Sequence, residues 1–484
     1  MTLAGTPLGV AFSRLADADP DRPAVQHEGR TVTRRQLDES SNRLARAYAE
    51  LGVKQDSFVT IGLPNGIGFY EALLATWKLG ATPQPISSKL PTTERTAIID
   101  LAKPALVVGV DPAEFGGRPA IRADFSPSAD VSSAALPPAV AEAWKAPTSG
   151  GSTGRPKLIV ATSPSLLEHI APFGGLVGMV PEQPQLVTGP LYHNGPLLFS
   201  SVGLLTGCPQ VVMTRFDAAG SLDLVEQHSI DWMYAVPTMM NRIWRLPEQE
   251  RTRPDISSLR MLVHMAAPCP PWLKEAFIDW LGAERVLELY AGTEAQAGTV
   301  ISGVDWLQHR GSVGRPALGE IKVLDSEGRV APAGDVGEVW MRRGADAGPT
   351  YRYVGAEAKA LDGWESLGDL GYFDEDGFLY LTDRESDMIL VGGANVYPAE
   401  VEAALEEHPA VVSAAVVGQP DDDLGNVPHA FVFAPDVTDD ELHEHLRARL
   451  ATYKLPRAFT RVDEPLRDEA GKVRRSGLRE RLLA

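Results

Sequence analysis

Pro147-Thr148-Ser149-Gly150-Gly151-Ser152-Thr153-Gly154-Arg155-Pro156-Lys157 sets three glycines, four hydroxyl side chains and two cations within eleven residues. Glycine lets backbone N–H groups converge on an anion, hydroxyls add donors, and Lys157 adds charge. That composition suits a triphosphate. The stretch departs from the common P-loop, which needs Gly directly before Lys, then Ser or Thr, then a helix. Here Pro156 precedes Lys157, and the apolar, partly β-branched residues 158–162 follow, which read as a strand. A phosphate loop between two strands implies a different α/β protein from a strand–loop–helix NTPase. Gly/Ser/Thr clusters are more often plain surface turns. The Arg-Pro-Lys ending and the flanking strands weigh against that here.

Outward from the loop, the chain alternates. Residues 35–51 carry helical periodicity through Leu37, Leu44, Tyr48 and Leu51. Residues 58–62, 105–110, 231–236 and 260–265 read as buried strands, and 69–79 as a helix. This predicts an α/β body of β-sheets flanked by helices. Residues 124–138, rich in Ser, Ala and Pro, read as a surface connection. The pattern changes near Asp383. Strands at 388–391, 411–417 and 430–433 and helices at 398–407 and 439–450 predict a small α+β unit of about 100 residues. The expected division is 1–385 and 386–484. The tail 471–481 holds five cations against one acid and, taken alone, reads as a solvated terminal helix.

A chain of 484 residues is long for one domain. Its 44% hydrophobic and 23% charged residues are those of a globular protein, and no apolar run approaches a membrane span. The N-terminus lacks the features of a signal peptide. Cys208 and Cys269 are too few for a disulfide framework, which points to the cytoplasm. A net charge of −19 argues against nucleic acid or an anionic membrane as partner. Nothing fixes the oligomeric state; a homodimer is one option.

More chemistry follows the loop. Tyr290-Ala291-Gly292-Thr293-Glu294 offers a ring to stack on a base, a hydroxyl, and a carboxylate to hold Mg²⁺ with phosphate oxygens. Asp369, in a glycine turn, could accept two vicinal ribose hydroxyls, with Asp383-Arg384 anchoring the same sugar.

With these blocks in this order, the chain resembles the adenylate-forming superfamily of acyl-CoA synthetases, peptide-synthetase adenylation domains and luciferases. The likeness covers essentially the whole chain. Thr148 to Gly154, Tyr290 to Gln296, His309 to Pro316 and Gly392-Gly393-Ala394-Asn395-Val396-Tyr397-Pro398 most resemble ligases for bile acids and steroid acids.

The resemblance implies a large N-terminal domain and a small mobile C-terminal one. It implies an acyl-adenylate made from ATP and a carboxylic acid, then transfer to a thiol. By resemblance, Thr148, Ser149, Gly150, Gly151, Ser152, Thr153, Gly154 and Lys157 cradle phosphates. Ala266, Ala267, Pro268 and Tyr290 bind adenine. Thr293 touches the α-phosphate, Glu294 holds Mg²⁺, and Asp369 and Arg384 bind ribose. Lys472 matches the family's catalytic lysine. Gly392 and Gly393 would line a pantetheine tunnel, with Lys454 and Arg457 near the phosphates of coenzyme A. Ser386 falls at the hinge, where many relatives carry Asp or Lys. Adjacent Gly150-Gly151 and Ala291 are further departures.

Tyr192, His193, Tyr234, Met239, Met240, Met265, Ala291 and Gly292 are candidates for the acyl pocket, and by resemblance His193 matches a family position near the carboxylate. Methionines suit a bulky, shape-tolerant apolar ligand, and equally ordinary core packing. No acid occurs in residues 189–198 to hold a substrate amine. The expectation is therefore an ATP-, Mg²⁺- and CoA-dependent ligase for a hydrophobic acid. Three alternatives remain: a ligase running only the thioester step, a loader of carrier proteins, and a non-catalytic binding protein.

Overall fold

The computed structural model describes residues 5–484 except 116, 151–155, 385, 422, 470 and 484. The centre of the molecule is a run of parallel strands. Gln210–Val212, Gln185–Val187, Trp232–Ala235, Met261–Met265 and Val286–Ala291 lie side by side in that order. Helices cover both faces, so these strands read as short apolar runs rather than alternating ones. Pro23–His27 adds a further parallel strand beside Gln210–Val212, and antiparallel strands continue the sheet beyond both ends to a total of 14 among the described residues.

Two smaller sheets flank it. Thr82–Pro85, Phe58–Ile61, Leu106–Val108 and Ala120–Ile121 pair in parallel. Thr148–Gly150 folds back antiparallel on Pro156–Ala161, which also pairs with Tyr351–Val354. The opening segment is thus a strand–loop–strand hairpin. Gly151, Ser152, Thr153 and Gly154, at its tip, lie outside the described residues.

The helix Arg34–Glu50 starts on a reciprocal cap. Thr33 Oγ1 accepts from Gln36 N, and Gln36 Oε1 accepts from Thr33 N. Leu37, Leu44 and Tyr48 are buried; Leu51 lies past the helix end and is 36% exposed.

The C-terminal unit has its own core. Ser413–Asp421 and Gly425–Phe433 pair antiparallel over nine residues each. Side chains alternate across them. Val416 and Val432 meet Val401, Leu405, Leu442 and Leu446 on one face. Ala415, Val417 and Phe431 meet Leu478 on the other. Gly425–Phe433 begins five residues before the expected start at 430, because Pro428 masks a strand that a hairpin extends. The basic tail is not a solvated helix. Arg475 bridges Asp387 and Glu402, Arg479 meets Asp387, and Leu478 is buried.

Candidate active site

In an open parallel sheet, ligands gather where the strands end at their carboxyl edge. Four segments leave that edge together. They carry Tyr192 and His193 after Gln185–Val187, Tyr234 within Trp232–Ala235, Ala266 to Pro268 after Met261–Met265, and Gly292 to Glu294 after Val286–Ala291. Ala266 adopts φ +75°, a left-handed conformation that costs a residue with a Cβ, and Ala295 is at φ +57°. At Gly292 any side chain would have to displace Leu367 and Glu294. A Cβ there would lie 2.5 Å from Leu367 Cδ1 and 2.9 Å from Glu294 Oε2.

Glu294 is buried yet remains between donors. Tyr353 Oη donates to its Oε1 at 2.6 Å, and Lys157 Nζ lies 3.9 Å from the same oxygen. Lys157 also sits 3.8 Å over the Tyr353 ring. Burial lowers the Lys157 pKa, Glu294 opposes that, and Arg384 adds to it. Thr148, beside the same hairpin, accepts from Gln84 at 2.8 Å. One buried carboxylate is what Mg²⁺ needs when triphosphate oxygens and water complete its shell. The residues present fit a metal carried in with the nucleotide.

Asp369 is already organised. Its Oδ2 accepts from Tyr290 Oη at 2.7 Å, and Arg384 Nε reaches Oδ1 at 3.2 Å. Burial raises the Tyr290 pKa, and the adjacent Asp369 raises it further. Asp383 is used differently from expectation. Its Oδ2 accepts the Ala399 N–H at 2.9 Å, in the first turn of Pro398–Glu406, and its Oδ1 takes Arg384 N.

Lys472 comes from the other end of the chain. Gly471, buried at φ +76°, packs against the large body. A Cβ on it would meet Thr238, Ala267 and Val236 at 3.5, 3.6 and 3.7 Å. Lys472 keeps solvent contact but is crowded by protein, which lowers its pKa; Asp468 and Glu294 oppose this and Arg384 adds to it. His193 occupies the N-cap position of the helix Asn194–Leu205 without a side-chain cap bond, its ring tilted 42° to that of Tyr192 with centroids 4.2 Å apart. Its buried Nε2 has no hydrogen-bond partner among the described residues. Burial, then Lys472, push its pKa down to about 4.

The remaining candidates divide. A Cβ on Gly195 would lie 3.1 Å from the Tyr234 ring and 3.4 Å from Met265 Sδ, so these three form one wall beside His193. Met239 and Met240 lie in the main core at 2% and 0% exposure. Ala291 is exposed. Gly392 and Gly393 turn at positive φ between Ile389–Val391 and Ala394–Val396. Lys454 is clasped by both oxygens of Glu400, and Arg457 lies 3.4 Å from Asp421. The Ser386 carbonyl accepts from Arg479.

Sequence reasoning missed Tyr353 and Lys145. Lys145 is 4% exposed and hydrogen-bonds Asn194, beside His193. Nothing local distinguishes it from a surface lysine except its apolar neighbours Trp144 and Ala146.

Residues 12–351 match the AMP-binding enzyme family, and residues 400–472 match the AMP-binding enzyme C-terminal domain. The chain belongs to this family. It is 32% identical to the 2-succinylbenzoate–CoA ligase of Bacillus licheniformis, over 96% of this chain and 98% of that one. The o-succinylbenzoate CoA synthetase of Bacillus subtilis, in complex with the acyl-adenylate intermediate OSB-AMP, superposes with a TM-score of 0.82 at 28% identity, covering 98% of both chains. A double mutant of that enzyme bound to its product analogue OSB-NCoA gives 0.70, at 28% identity and 97% and 98% coverage. The bile-acid and steroid-acid likeness is not what these relatives display. The chain is an AMP-forming acid–thiol ligase, an acyl-CoA ligase working through an acyl-adenylate with ATP, Mg²⁺ and coenzyme A. Among the described residues no helix is long and apolar enough to cross a membrane.

Proposed function

We propose that this family member activates a bulky, largely apolar carboxylic acid, of the steroid-acid kind, and runs both half-reactions. The observation that carries the first half is the docking of Gly471 against Ala267, which brings Lys472 under the influence of Asp468, Arg384 and Glu294 and within electrostatic reach of His193. Attack of a carboxylate oxygen on the α-phosphorus joins two anions. An O–P bond forms and pyrophosphate leaves. The Lys472 ammonium between the two partners offsets their repulsion. Bound Mg²⁺ would supply further charge neutralisation on the phosphates, held by Glu294. His193 stays neutral and meets the acid as a hydrogen-bond partner, not as a cation.

The second half needs a thiol to reach the same carbonyl carbon, expelling AMP. Lys472 stands in that neighbourhood, so the C-terminal unit must move away. We place the division at 385/386, with Ser386 as pivot. The better superposition on the adenylate complex supports an adenylating arrangement in this structure. For the acid, the wall of Gly195, Tyr234 and Met265 and the absence of a carboxylate in residues 189–198 favour an apolar, amine-free substrate.

The test is mass spectrometry of products from aromatic, fatty, steroidal and diterpenoid acids with ATP, Mg²⁺ and CoA. A steroid or diterpenoid thioester is expected to dominate. Turnover confined to short or amino acids overturns the pocket assignment. Lys472→Ala should abolish pyrophosphate exchange and spare thioester formation from supplied adenylate; survival of both steps would remove Lys472 from the chemistry.

A further inference from the structure

The helix Pro237–Trp244 lies between the sheet and the C-terminal unit, and both of its ends touch that unit. Its first turn, at Thr238, and the preceding Val236 receive Gly471. At its other end, Arg245 reaches across. Nη1 donates to Pro409 O at 2.5 Å; Nη2 donates to Val411 O at 2.6 Å and to Glu406 O at 3.2 Å. Asn241, one turn back, accepts from Arg245 Nε at 2.9 Å and fixes the fork.

These carbonyls lie at and just beyond the C-terminal end of the helix Pro398–Glu406. The last carbonyls of a helix lack internal partners and carry partial negative charge. A guanidinium has five donors in a rigid plane and suits such a cluster better than an ammonium. Near the division Asp383 accepts the Ala399 N–H at 2.9 Å, and two exposed ion pairs also link the two parts. Lys89–Glu469 at 3.8 Å and Arg474–Glu94 at 3.6 Å pair cations that are 78% and 83% exposed. Exposed pairs of this kind contribute little.

We infer that Arg245 is a positioning residue for adenylate formation: by holding the carbonyl end of Pro398–Glu406, it fastens the C-terminal unit in the one orientation that presents Lys472 to the nucleotide. The helix between its two contact points is eight residues, about 12 Å at 1.5 Å per residue. A short rigid spacer of that kind passes the orientation at Arg245 on to Gly471 with little slack. Burial lowers the Arg245 pKa, and Glu406 counteracts this. The inference rests on the two-half-reaction reading, because these bonds serve the arrangement in which Lys472 is docked.

The experiment compares Arg245→Ala and Arg245→Lys with the parent in three assays. Cholic acid serves as probe acid for pyrophosphate exchange, and cholyl-adenylate with CoA for the second half. Arg245→Ala should lower exchange by about 10- to 100-fold, the loss expected for hydrogen bonds from a charged donor, with the thioester step unchanged. Arg245→Lys should recover part of that loss, since an ammonium reaches fewer of the carbonyls. Hydrogen exchange with ATP and Mg²⁺ alone should quicken at residues 409–412 and 471–473 in Arg245→Ala. Equal losses in both halves, or unaltered hydrogen exchange, overturn the inference. A parent inert toward cholic acid defeats the substrate reading instead, and the hydrogen-exchange arm still decides Arg245.

Discussion

Lys145→Met should stabilise the protein progressively as pH falls. Lys145 is almost fully buried, hydrogen-bonded to Asn194 and 4.8 Å from the centre of the Trp144 ring. Burial draws its pKa from 10.5 to about 7, with Glu294 opposing. That gap corresponds to on the order of 5 kcal/mol, at ~1.4 kcal/mol per factor of ten. In the unfolded chain the amine holds its proton up to its ordinary pKa. In the fold it gives the proton up above about 7. Between those values the unfolded state binds more protons, so stability rises with pH across the window and is lost as pH falls through it. Below the folded pKa the loss is constant. Methionine keeps most of the volume and does not titrate. The variant's advantage over the parent should therefore grow by about 2.5 kcal/mol between pH 9.5 and pH 7.5, and level off below pH ~6. Losing the donor to Asn194 shifts this difference by a constant and leaves its slope alone. Urea unfolding of both proteins at matched pH, followed by tryptophan fluorescence, measures it, and the subtraction removes the other titrating groups. A difference that is flat with pH, or that shrinks as pH falls, would refute the buried, weakly compensated ammonium.

His193 and Tyr353 give two further tests. His193, pushed down to about 4, should be neutral throughout the working range and contribute no inflection to the pH–rate profile between pH 6 and 8. Its folded pKa lies below its unfolded one, so the stability it contributes is lost as pH falls from about 6.5 toward 4. Because Lys472 is one cause, Lys472→Ala should raise the His193 midpoint in an NMR titration; an unmoved midpoint would separate the two groups. Tyr353→Phe removes the donor on Glu294 Oε1 and keeps the ring under Lys157. Partners that orient a metal-binding carboxylate are worth about 10- to 100-fold in metal affinity, so the Mg²⁺ concentration for half-maximal pyrophosphate exchange should rise by that factor. A Mg²⁺ titration that superimposes on the parent's would exclude the role.

The legible part of the site was the part written in local pattern. Short apolar runs marked Phe58–Ile61, Leu106–Val108, Trp232–Ala235 and Met261–Met265 to within a residue or two, but not the three-residue strands Gln185–Val187 and Gln210–Val212 or the strand Val286–Ala291, while the glycine-rich hairpin and Tyr290 to Glu294 stood out by composition. The edge where they converge follows from strand order, which sequence alone did not supply. The illegible part was pairing at long range. Arg475 and Arg479 look like solvent cations until Glu402 and Asp387 arrive from 73 and 92 residues away. Lys454 looks available until Glu400 takes it. Asp383 looks like a sugar ligand until a helix start requires its oxygen. Met239, Met240 and Met265 all lie in the main core, and only topology sets Met265 against Gly195. A polar side chain's role depends on what stands opposite it, and periodicity does not encode that.

The same logic gives the site a charge imbalance with a thermodynamic consequence. Burial lowers the pKa values of Lys145, Lys157 and Lys472, and Glu294 is the carboxylate that opposes the fall in all three. A protein of net charge −19 has thus gathered three amines of lowered pKa near Glu294, with Asp468 also beside Lys472. A triphosphate entering beside them favours their charged forms and raises their pKa values. Lys145, near 7 in the free protein, is the amine placed to change state at pH 7.5 to 8. ATP binding should therefore take up a proton, approaching one per site at the upper end of that range. Calorimetry in buffers of different ionisation enthalpy measures this directly. Lys145→Met should remove most of the buffer dependence while retaining ATP binding. Heats that are independent of buffer in the parent would mean that the amines are already charged, and that the nucleotide meets a site compensated by something other than Glu294.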